Sequence, residues 1–128
     1  MMELVWLNRE DCLAIHEMML SQYGGLAGVR DEGLLISALT KPQNLVAYGS
    51  PRLAELASAY AVGIIHNHPF LDGNKRTGFM LAAVFLELNG CEFKVTEESV
   101  VEQTLALAAG QTTAAKYATW LEANAFIR

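Results

Sequence analysis

The stretch HNHPFLDGNKRTGF, residues 66–79, joins two of the most apolar runs in the chain, AVGII at 61–65 and FMLAAVFL at 79–86. The first run reads as the end of a helix closing near His66. The second belongs to a helix that begins near Asn74 and leaves through Asn89-Gly90 after Leu88. From Phe79 to Leu86 that helix is apolar on every face, so it should lie at the centre with other helices around it. Residues 66–79 are therefore a polar turn between two buried helices.

Helical periodicity continues on both sides. Asn8 can cap a first helix through Tyr23, with Cys12, Ile15, Met19 and Gln22/Tyr23 on its buried stripe and His16 on the exposed side. Gly24-Gly25 ends it. Asp31 can cap a short helix around Leu34, Leu35, Ala38 and Leu39, expected to stop before Pro42. Ser50 followed by Pro51 is expected to open the helix that leads to His66. Thr96 caps a helix through Ala109, Gly110 breaks it, and Thr112 or Thr113 starts a last one carrying Tyr117, Trp120 and Leu121. CEFKV at 91–95 and NLVAYG at 44–49 could be short extended pieces, neither long enough to build a sheet. The expected fold is all-α: a compact bundle of about six helices around the buried helix 74–88.

A chain of 128 residues supports one hydrophobic core, so residues 1–128 are expected to form a single domain. No apolar run reaches the roughly 20 residues that span a bilayer. The opening MMELVWLNRED does not have the pattern of a signal peptide. Cys12 and Cys91, without metal-like spacing, fit a reducing cytoplasm, where the protein is expected to act. A formal net charge of −5 argues against direct nucleic-acid binding, which depends on neutralising phosphates.

The turn concentrates the chain's chemistry. Free N–H groups at the start of the 74–88 helix and the positive end of its dipole favour an anion. Gly73 permits close approach of a phosphate or a positive φ, and Lys75 and Arg76 add two charges in the first turn. Cations there cost a helix about 0.3–1 kcal/mol each, a sign that a bound polyanion reverses. Asp72 can hold Mg²⁺, since that ion needs only one or two carboxylates when phosphates and water complete its shell. His68 can act as a general base toward a hydroxyl, with Pro69 and Phe70 keeping it aimed. A phosphate cradle, a metal ligand, a cationic clamp and a base are the parts that phosphoryl transfer needs. Plainer readings stand beside these: Asp72 as a helix cap, Lys75 and Arg76 as a solvated face, and His66 as a histidine at a helix C-terminus.

The run HPFLDGNKR at 68–76 resembles, without a gap, the signature His-x-Phe-x-(Asp/Glu)-Gly-Asn-(Gly/Lys)-Arg of the Fic/Doc superfamily. RDEGLLISALTKPQNLVAYG at 30–49 and AAVFLELNG at 82–90 look like its death-on-curing (Doc) toxin branch. The resemblance implies a Fic-like helical fold with His68 as base, Asp72 as Mg²⁺ ligand, Gly73, Asn74 and Arg76 as the anion-binding turn, and Phe70 as loop anchor. It places a target-aligning flap near Asn44–Gly49. Lys75 stands where the AMP-transferring branch has a second glycine, and Phe79 where that branch has an arginine. Lys75 fills space that the glycine leaves to a phosphate and adds a charge. The Doc branch shares this lysine, which implies ATP bound in the reverse sense, with the γ-phosphate delivered to a threonine or serine of elongation factor Tu and translation blocked.

Such a toxin implies an antitoxin whose disordered segment folds as a helix into a groove near the site. The self-restraining (Ser/Thr)-x-x-x-Glu-(Gly/Asn) helix of other Fic proteins is missing: Glu32-Gly33 is the only such pair, and Gly28 sits where Ser or Thr is required. Three other readings remain open. They are an AMP-transferase of the same fold, a catalytically silent binding module, and a metal hydrolase using His66, His68 and Asp72.

Overall fold

The computed structural model describes residues 3–128, and within them the order is six helices and two short strands. Helix α1 spans Arg9–Tyr23, α2 Glu32–Ala47, α3 Leu53–Asn67, α4 Asn74–Leu88, α5 Glu97–Ala108 and α6 Ala114–Ala123. Strands β1 (Cys91–Phe93) and β2 (Ala125–Ile127) pair antiparallel, with Cys91 opposite Ile127. The architecture is all-α with a two-stranded ribbon beside it.

The caps are largely those expected. Asn8 and Asp11 form a reciprocal capping box on α1, while Asp31, Thr96 and Thr113 accept from the third backbone N–H of α2, α5 and α6. Two helix limits differ. Helix α2 continues through Pro42 to Ala47, so residues 44–47 are helical where an extended piece was expected. Pro42 is buried, and apolar burial of its ring offsets the backbone bond that proline cannot make. At α3 the N-cap is Arg52, with Glu55 Oε1 accepting from the Arg52 N–H at 3.0 Å, so Pro51 lies just outside the helix.

Two helices share the centre. Helix α4 buries eight residues, and α3 buries nine and packs against α2, α4, α5 and α6. Close approach is what lets α3 hold this place. A Cβ on Gly63 would lie 3.0 Å from Ala38 of α2, and one on Gly78 of α4 would lie 2.8 Å from Ile65 Cγ1 and 3.1 Å from the Ala61 carbonyl. Tyr60, Phe85, Leu81, Ile64 and Leu121 fill the space around these crossings, all fully buried. The consequence for function is geometric: the C-terminus of α3 and the N-terminus of α4 meet at one end of the core, separated only by residues 68–73.

Candidate active site

The loop 68–73 is shaped by its own residues. His68 caps α3 in the left-handed conformation (φ 49°, ψ 54°), the only non-glycine residue with positive φ among those described. Its N–H donates to the Ile64 carbonyl at 3.1 Å, and Pro69 disfavours the helical conformation at the residue before it, so the helix stops. Phe70 is buried, with its ring stacked on His16 at 3.7 Å between centroids and 7° between planes. Asn74 closes the loop: its Oδ1 accepts from the Phe70 N–H and its Nδ2 donates to the Phe70 carbonyl, both at 3.0 Å. Gly73 then caps α4 with φ 79°, the positive value its position suggested.

A second strand of chain lies along this loop. Leu71 N–H donates to the Gly28 carbonyl at 3.1 Å, the N–H groups of Arg30 and Asp31 both donate to the Pro69 carbonyl, and Val29 bridges Phe70. The segment 24–31 between α1 and α2 therefore backs the whole turn.

The turn opens on a cleft of about 680 Å³. Its floor is His68, Leu71 and the first turn of α4, and its walls are Met19 and Tyr23 of α1 and Val100, Val101, Thr104 and Leu105 of α5. One end is polar and cationic, the other apolar. No side chain caps α4 and no acidic residue stands in its first turn. Lys75 and Arg76 are exposed there and make no ion pair among the described residues. The Arg76 guanidinium instead lies 4.3 Å from the centre of the Tyr23 ring. Asp72 sits at the same mouth, with Oδ1 accepting from the Gly73 N–H at 2.9 Å and Oδ2 from the Leu26 N–H at 3.2 Å.

The structure brings His68, Asp72, Gly73, Asn74, Lys75 and Arg76 to one cleft and puts Phe70 beneath it. Asn74 offers that cleft only its backbone, because its side-chain amide is spent on Phe70. Phe79 lines the cleft and packs on Phe93 and Trp120 at 6.0 and 6.1 Å. His66 stands apart, its Nε2–H donating to the Leu107 carbonyl at 3.3 Å, so a hydrolase centre loses its first ligand. The segment around Asn44–Gly49 does not line the cleft; it borders a separate shallow hollow with Pro51 and Glu55.

Sequence reasoning missed three contributors. His16 was expected on an exposed face but is buried, with Nε2–H donating to the Asp72 carbonyl at 2.8 Å. Its position four residues after Cys12 and three before Met19, inside the apolar stripe, was the signal available. Gly25 (φ 122°) leaves room for the Asp72 carboxylate, since a Cβ there would be 2.7 Å from Oδ2. Arg30 donates to carbonyls at the end of α3, across a sequence gap that no local pattern reports.

Comparison with known proteins identifies the family. The family model described as Fic/DOC family matches residues 6–86. The chain is 41% identical over 90 residues to a protein named Toxin Doc from Mycolicibacterium smegmatis, covering 68% of this chain and 66% of that one. It is 33% identical over 106 residues to one named Protein kinase doc from Escherichia phage P1, covering 82% and 83%. The match with the phage protein is longer than the family-model segment, and the motif HPFLDGNKR that builds the cleft lies within residues 6–86. The chain belongs to the Fic/DOC family.

Proposed function

We propose that this protein is the toxin of a toxin–antitoxin pair and transfers the γ-phosphate of ATP to a threonine or serine hydroxyl of a translation factor, with elongation factor Tu the leading candidate. The observation that carries the reading is the single cleft in which an uncapped, cationic helix N-terminus, a carboxylate and a histidine converge. The name of the phage P1 relative supports the kinase sense.

Each residue has a defined task. The backbone N–H groups that open α4 and the charges of Lys75 and Arg76 hold the triphosphate and offset charge that develops as the γ-phosphoryl group leaves. His68 accepts the proton of the target hydroxyl, whose oxygen forms the new bond to the γ-phosphorus while the bond to the ADP oxygen breaks. Asp72 fits Mg²⁺ as a single carboxylate whose two oxygens each accept only one N–H bond. Among the described residues no group of three or more His, Cys, Asp or Glu could hold a metal, so such an ion would complete its shell with phosphate and water oxygens. Mg²⁺ would supply neutralisation of phosphate charge.

The apolar end of the cleft, with Val101 and Leu105 half exposed on α5, suits a helix from an antitoxin that covers the site in trans. Adenylyl transfer is the second reading. Lys75 disfavours it by filling the first turn of α4, where phosphate oxygens would otherwise approach the backbone.

Expression without the antitoxin should arrest growth, and His68→Ala should abolish the arrest with little change in the amount of folded protein. Arrest by the His68→Ala variant would contradict the assignment of the base.

A further inference from the structure

His68 is held in a conformation that costs a non-glycine residue of order 1–3 kcal/mol, so surrounding contacts must impose it. The carbonyls at the end of α3 show what does so. Arg30 Nε donates to the His68 carbonyl at 2.7 Å, and Arg30 Nη2 donates to the Asn67 carbonyl at 2.9 Å. The backbone N–H of the same arginine donates to the Pro69 carbonyl at 2.6 Å. One residue thus engages three consecutive carbonyls, at 67, 68 and 69. Asn67 is fixed in turn, its Nδ2 donating to the Leu34 carbonyl at 3.0 Å.

We infer that Arg30 is the positioning residue of the His68 base. A planar guanidinium presents two donors at a fixed spacing, which fits two adjacent carbonyls and fixes the two peptide planes that flank the His68 Cα relative to each other. A change of His68 backbone conformation requires one of these planes to rotate against the other, which would re-aim the imidazole. The positive charge also suits its place, since the C-terminus of α3 carries the negative end of the helix dipole. Arg30 makes no ion pair among the described residues, so no carboxylate competes for its donors. It does not line the cleft, so its role is positional rather than a direct contact with the reacting groups.

The inference rests on the reading of His68 as the base, and its test separates the two. Arg30→Gln, Arg30→Lys and wild type are compared by steady-state phosphotransfer to elongation factor Tu, and by amide hydrogen exchange of the free proteins. Arg30→Gln should lower kcat by about 10- to 100-fold with KM for ATP changed far less, the signature of a misaligned base rather than a lost binding contact. Arg30→Lys, which keeps the charge without the fork, should fall between. Exchange at His68 and Leu71 should quicken about tenfold in Arg30→Gln while amides in the middle of α3 and α4 keep their protection. Lower melting temperature with unchanged kcat per folded molecule, or unchanged exchange at His68, would overturn the positioning role. If wild type transfers no phosphate yet the loop exchange still responds to Arg30, the kinase reading fails and the structural clamp alone stands, which also removes Arg30 as a positioning residue for catalysis.

Discussion

Asp72 is positioned by contacts to both its side chain and its backbone. Its carboxylate is fixed by the N–H groups of Gly73 and Leu26, and its carbonyl by His16. Gly25 makes the second of these possible by bringing the backbone close enough to leave 2.7 Å between a would-be Cβ and Oδ2. Gly25→Ala should therefore push the carboxylate aside and strain a residue at φ 122°. A stability loss of about 1–3 kcal/mol is expected. The larger effect should appear in a magnesium titration of activity, with half-maximal Mg²⁺ raised about tenfold, a shift of roughly 1.4 kcal/mol. An unchanged Mg²⁺ dependence would contradict the role given to Asp72. At this scale, residue type and order named His68, Asp72, Gly73 and the two cations as candidates, and the fold places all five at one cleft. They could not show that Asn74 ties down Phe70 or that His16 supports Asp72, because both facts depend on which groups the folded chain has already paired.

The angle and distance between α3 and α4 decide where the base stands relative to the phosphate-binding turn. Gly78 sets that distance, since an added Cβ would meet Ile65 Cγ1 at 2.8 Å and the Ala61 carbonyl at 3.1 Å. Gly78→Ala should destabilise the fold by about 1–3 kcal/mol in denaturant unfolding, as overpacking does in a close-packed interior. Gly33→Ala is the useful contrast. Its nearest neighbour would be Asp31 Oδ1 at 3.4 Å, in the first turn of α2, so the change should be neutral or stabilising by up to about 1 kcal/mol. Equal stability of Gly78→Ala and wild type would show that the helices are not in the close contact described. Elements with strong caps were readable from sequence: the Asn8, Asp31, Thr96 and Thr113 boundaries all agree. The passage of α2 through Pro42 was not, because burial of the ring overrides the local rule. Nor was β2, a strand of only three residues that owes its form to the pairing of Ala125 with Phe93 and of Ile127 with Cys91.

At the level of the whole molecule, an acidic protein keeps a cationic mouth at one end of its core, and the remaining titratable groups bear mainly on stability. Burial pushes the Cys12 thiol up from its ordinary 9.0 to about 12 and the Tyr117 hydroxyl from 10.0 to about 12. Both groups are neutral when protonated, so above pH 9 the unfolded chain releases protons that the folded chain retains. The contribution of these two groups should be level below pH 9 and fall between pH 9 and about 12, with a slope of up to about 1.4 kcal/mol per pH unit for each group. Urea unfolding at stepped pH checks this, and Cys12→Ala should reduce the slope just above pH 9. A slope identical to wild type in that variant would assign the alkaline loss to other groups.

The central claim is the transfer of the γ-phosphate by a His68-dependent step, with Lys75 excluding the opposite nucleotide register. It is tested most directly by incubating the protein with elongation factor Tu, Mg²⁺ and ATP labelled at either the α or the γ position, followed by intact-mass measurement of the target. The expected result is γ label only, a mass increase of one phosphate, and no label with His68→Ala. Incorporation of α label with the mass of AMP, or γ label that persists in His68→Ala, would contradict it.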